Sequence, residues 1–470
     1  MKKNIYIYIC IALLGFTSLL SSCNGYLDNI PKGQKIPTSL TDFEAMLRYE
    51  YGTLREDVTQ GIILLNDNYI SPSNLGYYPL WHANYFWDNT ANRVTLNKSD
   101  ESTYYVGYGA ISTCNLIIEN TASATNATDQ QRAVVAAQAR IIRAMNYFML
   151  VNYYSKTYNA STAATDGGVP LITSAQVGAS YTQPSVKGIY DFILDDITKA
   201  LPDLPDKAAT ILQANKATGY AFAARVYLQM SDYTNALAYA NKALAINNSL
   251  FDWNAYYTQY QTTLDNSTKY QTIPSPMGYT NVENYNFRNG PSSYSSSEKT
   301  IRVDRGAKFE DGDTQFKCRW KLRTVGDQTY YYANLSGRFN YGGTTTTEVY
   351  LIKAECLARS GSVSDAMSVL NTVRKTRILA SKYQDLTAAT VPEAIGYIRR
   401  TKDNALILTI VPFCDNRRYN LETAYARTLT KTENGTNYSL TPDSYMWTMP
   451  FPQGAIENHG NGTITQNVDK

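Results

Sequence analysis

A mainly α-helical chain, built on helix–turn–helix units and interrupted by a loop-rich insertion, is the fold class this sequence predicts. Three observations predict it. Apolar residues recur at helical spacing through most of the first half of the chain. Two separated segments carry mostly small residues at the same steps: Ala224, Ser231, Tyr233, Ala236 and Ala243, then Ala354, Gly361, Val363, Ala366 and Val373. Between them, Asn247 to Thr347 loses helical periodicity and turns rich in Tyr, Asn, Ser, Thr and Gly.

Taken in order, Thr41 to Tyr51 reads as a first helix, with Thr41 or Asp42 as cap and Phe43, Met46 and Leu47 on one face. Ser102 to Glu119 places Tyr104, Tyr105, Tyr108, Ile111 and Leu116 near helical spacing. Asp129 to Tyr154 is long and Ala-rich and ends in Tyr147, Phe148, Tyr153 and Tyr154. Ser185 to Leu201 carries Ile189, Tyr190, Ile193, Leu194 and Ile197 on one stripe, and Pro202 and Pro205 stop it. Small residues in the paired segments let two antiparallel helices approach closely around a tight turn at Ser231 or Gly361. That pattern resembles tetratricopeptide repeats. Inside the insertion, Lys317 to Val325 and Tyr330 to Tyr341 read as short strands.

The amino terminus predicts an address. Lys2 and Lys3 precede an apolar run from Ile5 to Leu20, and Leu20-Ser21-Ser22-Cys23 closes it. As a helix that run reaches only about 24 Å, short of the ~30 Å hydrocarbon core. The order matches a leader, residues 1–22, whose removal exposes Cys23 for lipid attachment. The expected mature domain then runs from 23 to 470. Its helical scaffold spans about 40–246 and 345–405, its insertion about 247–344, and its coil-rich carboxyl region about 406–470.

Composition narrows the chemistry. Charge is near balance, 43 Lys and Arg (two in the leader) against 40 Asp and Glu, with no basic tract, which argues against nucleic acid. No second apolar run reads as a membrane span, and no series of alternating strands suggests a pore. Cys114, Cys318, Cys356 and Cys414 are widely spaced, so buried thiols are the plain reading and a disulfide the alternative. Only His82 and His459 occur, and no hydrolase or zinc motif is present, so neither catalysis nor a cofactor or metal is expected. Asp311-Gly312-Asp313 reads as a turn before a calcium site. Tyrosine is the outlier at 40 residues, a side chain that grips polar ligands without transforming them.

Motif order adds a family resemblance. Tyr26-Leu27-Asp28, Tyr105 to Ile118 (YVGYGAISTCNLII), Ala139 to Leu150 (ARIIRAMNYFML), Asp166 to Leu171 (DGGVPL) and Ser185 to Leu204 stand in sequence. Glu348 to Arg377 (EVYLIKAECLARSGSVSDAMSVLNTVRKTR) and the tail from Met449 to Asn458 follow. Together they resemble the SusD/RagB outer-membrane lipoproteins of Bacteroidetes. One departure stands out. Where relatives carry E-R-x-x-E-L, this chain has Arg399, Arg400 and Asp403, followed by Asp415 and Arg418 as the usual D-x-x-R.

The resemblance implies a SusD-like fold and a lipid-anchored surface protein. It would capture an oligosaccharide, or a peptide, for a SusC-like TonB-dependent barrel. It also implies that the segment between the first two helices contributes to the pocket. There Trp81, Tyr85 and Trp87 supply rings expected in loops, and Asp67, Asn68 and Asp88 supply polar partners. Arg319, Trp320 and Tyr330 to Tyr332, Tyr331 among them, form a second candidate set in the insertion. A glycoside hydrolase and a protein-binding scaffold are the competing readings.

Overall fold

The computed structural model describes residues 37–49, 56–97, 101–266, 273–289 and 300–468. The leader, Cys23 and Tyr26-Leu27-Asp28 lie outside the described residues. A first layer runs α1 (Leu40–Leu47), α2 (Thr59–Leu65), α3 (Pro72–Tyr77), α4 (Pro79–Phe86), α5 (Arg93–Leu96), α6 (Ser102–Asn120), α7 (Asp129–Tyr154) and α8 (Val186–Ala200). Helix α7 packs between α6 and α8. By length and hydropathy α7 would suit a bilayer, contrary to the reading that no second run would. Its residues from Ile141 to Tyr154 are instead all buried in the protein core.

The repeat units form as the spacing predicts. Helices α9 (Lys216–Gln229) and α10 (Tyr233–Ile246) make the first unit, and after the insertion α14 (Thr346–Arg359) and α15 (Val363–Lys375) make the second. Ala224, Ala236, Ala243, Ala354, Ala366 and Val373 are fully buried between them, and α10 lies against α14. Both turns close identically. Ser231 N–H donates to Leu228 O and Asp232 N–H to Tyr227 O; Gly361 N–H donates to Ala358 O and Ser362 N–H to Leu357 O. These are Schellman caps, and their pivots, Ser231 and Gly361, are left-handed at φ 61° and 88°.

The insertion is less irregular than its composition suggests. It holds α11 (Trp253–Leu264), β1 (Ile273–Pro274), β2 (Thr300–Ile301), α12 (Val303–Gly306), α13 (Thr314–Arg319), β3 (Trp320–Val325), β4 (Gln328–Ala333) and β5 (Leu335–Ser336). Strand β4 pairs antiparallel with β2 and β3, and β1 pairs parallel with β5. Asp311 pairs with Lys382 at 2.9 Å, while Asp313 accepts the Phe316 N–H at 2.9 Å and caps α13. That triplet is a turn and a cap.

The carboxyl region is also not coil. It contains α16 (Val391–Ala405), α17 (Val411–Tyr419), a hairpin of β6 (Leu429–Glu433) and β7 (Thr436–Leu440), and α18 (Gln453–Glu457). Buried charges join it to the second repeat. Arg418 on α17 donates to both oxygens of Glu355 on α14, at 2.7 and 2.9 Å, and to Asp415 at 3.1 Å. Lys402 on α16 reaches Asp415 at 2.8 Å, and Arg359 reaches Glu355 at 2.9 Å. Burial by itself would raise the Glu355 carboxyl, but Arg418, Lys402 and Arg359 hold it well below the usual carboxylate range. The four cysteines are buried and unpaired, and burial pushes the Cys114 and Cys356 thiols up to about 12.

Two outcomes follow. Gly361→Ala should cost about 1 kcal/mol and Ser231→Gly should gain up to about 1 kcal/mol, because a Cβ is strained in the left-handed region. Denaturant midpoints measure both, and equal midpoints for Gly361→Ala and wild type would contradict the cap geometry. Glu355→Gln should cost about 3–5 kcal/mol, since it strips the charge that balances buried Arg418; thermal unfolding reads this loss.

Candidate functional site

The site starts from two proline-initiated helices. Ser71 caps α3 by accepting the Asn74 N–H at 3.4 Å, and Pro72 and Pro79 occupy the first turns of α3 and α4. The short link between these helices brings three rings together. Tyr77 meets Tyr78 edge to face at 4.6 Å, and Tyr78 stacks on Trp81 at 4.0 Å. Tyr77 is 74% exposed and Tyr78 41%. Trp81 is half-buried and packs on a core of Ile63, Ile70, Leu75 and Tyr85.

Beneath this platform the ends of α2 and α4 are tied together. Asn66 and Trp87 are their carboxyl caps, both left-handed, at φ 55° and 49°. Trp87 Nε1 donates to Leu64 O at 2.7 Å, and Asn66 Nδ2 donates to Tyr85 O at 3.0 Å. Lys431 of β6 enters the same knot. Its Nζ donates to Asn66 Oδ1 at 2.6 Å and to Tyr85 O. It also lies 3.6 Å from the Tyr85 ring centre, 4.6 Å from Phe86 and 5.5 Å from Tyr438. Burial pushes the Lys431 ammonium down to about 7, against the pull of Glu433.

A cleft of about 980 Å³ opens beside the knot, lined by Tyr69, Arg302, Gln328, Lys431, Glu433 and Tyr438 among others. Tyr69 stacks on Tyr330 at 4.5 Å with planes 6° apart, and a run of ring contacts, His82 on Phe86 and Phe86 on Tyr438, joins α4 to the β7 wall. Arg302 donates to Tyr85 Oη at 2.8 Å, to Glu433 at 2.6 Å and to Asp304 at 3.0 Å. Val303, Asp304, Ala307, Thr329, Thr430, Thr432, Asn434, Asn437 and Ser439 complete the lining. Flat ring faces beside amides and hydroxyls suit a ligand with C–H faces and many hydroxyl groups.

The residues expected from sequence divide sharply. Trp81 belongs to the platform. Tyr85 and Trp87 were expected in loops at a ligand surface; Tyr85 lies on α4, Trp87 caps it, and both rings are buried struts. Asp67 is buried in an ion pair with Arg305 at 2.6 Å, and Asn68 is fully buried in a bridge to Ile301. Asp88 accepts from Thr90 Oγ1 at 2.6 Å and its N–H at 2.9 Å, and those bonds hold its carboxyl below the ordinary value.

The insertion set does not join the platform. Arg319 is buried between the Trp320 and Phe339 rings, Trp320 is itself buried, and Tyr331 is half-buried against Phe316. Tyr330, expected with that set, stacks on Tyr69 beside the cleft, whereas Tyr69, Arg302, Lys431 and Tyr438 were missed. One signal for the last two exists: Asn434-Gly435, left-handed at φ 50° and 77°, is a hairpin turn between alternating strands.

Comparison with known proteins agrees with this architecture. Residues 25–228 match a SusD-like family model described as starch-binding and associating with the outer membrane. SusD-like protein P2 of Formosa agariphila is 27% identical over 322 residues, covering 58% of this chain and 62% of that relative's length. A putative sugar binding protein from Bacteroides vulgatus shares the fold at a TM-score of 0.68 with 17% identity, over 93% of this chain and all of that one. A SusD superfamily protein from Bacteroides thetaiotaomicron does so at 0.69 with 16% identity, over 92% of this chain and 100% of that one. Surface glycan-binding protein A of Bacteroides uniformis does so at 0.65 with 17% identity, over 91% of this chain and 99% of that one. By sequence, residues 25–228 of this chain match the SusD-like family model, and by fold nine-tenths of its length is similar to solved structures of SusD-like proteins.

Proposed function

We propose that the chain is a lipid-anchored glycan-binding protein of the outer membrane, which captures an oligosaccharide and passes it to a SusC-like TonB-dependent barrel. The observation that carries this reading is the exposed Tyr77–Tyr78–Trp81 platform on α3 and α4, with a cleft rich in amides and hydroxyls whose Tyr438 wall touches Phe86 of α4. Sugar C–H faces pack on such rings while their hydroxyls pair with Asn, Thr and Gln groups. The matched family is described as starch-binding, and two of the similar structures are named for sugar or glycan binding. A lipid on Cys23 would hold the protein at the bilayer, and the barrel would supply the channel.

Capture without chemistry also fits the cleft. Its two carboxylates, Asp304 and Glu433, are both paired to Arg302, at 3.0 and 2.6 Å. Glycoside hydrolysis needs a carboxylic acid poised as proton donor across the scissile bond from a second carboxylate. A pair gathered on one guanidinium is not so arranged.

Calorimetric titration with a panel of neutral oligosaccharides should find a ligand in the micromolar to millimolar range, with no new reducing ends on incubation. Tyr78→Ala and Trp81→Ala should each weaken it about two- to tenfold with the circular dichroism spectrum kept. Unchanged affinity in both variants would move capture away from the platform. Trp87→Ala should instead lose about 3–5 kcal/mol of stability, since its buried ring ties α2 to α4.

Lys431 adds a pH signature. Its folded value of about 7 lies below the unfolded value of about 10.4, so between them the unfolded chain binds the extra proton and stability rises with pH. Guanidinium midpoints at about pH 6 and about pH 9 should therefore show wild type gaining up to about 3 kcal/mol relative to Lys431→Met. Equal gains would mean that Lys431 titrates normally.

A further inference from the structure

A second cavity, of about 550 Å³, lies on the other side of α12. The cleft described above takes Arg302 and Asp304 from this stretch of chain; the second cavity takes Arg305 and Lys308. Its volume falls in the range of about 300–1,000 Å³ usual for small-molecule sites. Five cationic side chains line it, Arg305, Lys308, Arg399, Arg400 and Arg427, against two carboxylates, Asp67 and Asp403.

The pairing leaves positive charge over. Asp67 is taken by Arg305 at 2.6 Å and Asp403 by Arg427 at 2.9 Å. Arg400 shares Glu310, at 3.4 Å, with Arg374. Among the described residues Lys308 and Arg399 form no close ion pair with a carboxylate, although Asp67 and Asp304 act on Lys308 from farther off, and Asp403 and Asp415 on Arg399. Arg399 is only 7% exposed, and its Nε has no hydrogen-bond partner although Nη1 donates to Tyr425 O and Nη2 to Asn416 Oδ1. Burial and the neighbouring Arg305 lower the Lys308 ammonium; burial and Arg427 lower the Arg399 guanidinium. Crowded cations of this kind are relieved by an incoming anion.

A glycine points the same way. Gly396 sits inside α16 and lines the cavity, at a place where glycine costs about 1 kcal/mol against alanine. Among the described residues nothing lies within 4 Å of where its Cβ would stand, so protein packing does not require it. A bare backbone facing open space keeps room for a ligand to approach. The remaining wall is apolar, with Ile395, Pro412, Leu429 and the Tyr425 ring.

We propose that this cavity is an anion-binding site, separate from the aromatic platform, that takes the carboxylate or sulfate group of a small organic acid whose body rests on the apolar wall. Charge-assisted bonds from Arg399, Arg400 and Lys308 hold the anion, and Gly396 leaves space for the body.

The test titrates the full chain with glucuronate, glucose 6-sulfate, inorganic sulfate and neutral glucose. Glucuronate or glucose 6-sulfate should bind, and raising NaCl to about 0.5 M should weaken that binding. Arg400→Gln should weaken it about tenfold or more. Gly396→Trp, whose ring fills the cavity, should abolish it while the unfolding temperature and platform binding are kept. Competition by inorganic sulfate supports the site and assigns recognition to the charged group. Glucose binding as tightly as the acids, no binding by either acid, or unchanged binding in Gly396→Trp would each overturn the proposal. Because Gly396 and Trp81 line different surfaces, failure here leaves the oligosaccharide reading standing, and the reverse holds.

Discussion

The buried ion cluster around Glu355 and Arg418 is the constraint on which the rest of the architecture depends. Two charges with no measurable exposure have lost most of their hydration, and only close, two-pronged contact offsets that loss. Arg418 presents a planar fork that Glu355 satisfies at both tines, while Asp415 is shared with Lys402. Helices α14, α16 and α17 must therefore meet in one relative position. Apolar packing tolerates sliding by a fraction of a turn; this cluster does not.

From that fixed junction the functional surface grows outward. The hairpin β6–β7 follows α17, and Lys431 carries it into the knot at the ends of α2 and α4. The cleft is thus built from chain positions near 69, 302, 328 and 431, which the fold brings to one side. Rings held by buried struts such as Trp87 and Tyr85 can be presented to solvent without collapsing inward.

Glu355 and Arg359 of the second repeat, with Lys402, Asp415 and Arg418, serve the buried cluster, so their demands are internal. Arg399, Arg400 and Asp403 of α16 line a cavity and take no part in the cluster, which the same helix reaches through Lys402.

Local physics determined much of this protein from sequence alone. Helical periodicity placed α6 to α8, and the shared spacing of small residues placed both repeat units with their pivots at Ser231 and Gly361. What resisted reading was short or long-range. Helices α3 and α4 are too brief for periodicity, so the rings of Trp81, Tyr85 and Trp87 were expected in loops where Pro72 and Pro79 start helices. The same shortness hid the Asn434-Gly435 hairpin within a segment read as coil. Whether an aromatic ring is a strut or a contact surface was not decided locally at all. Tyr78, Trp81, Tyr85 and Trp87 lie within ten residues and look alike as sequence, but burial separates them. That separation depends on what packs against each ring from Leu64, Lys431 and Arg302, and only the tertiary structure brings those partners together.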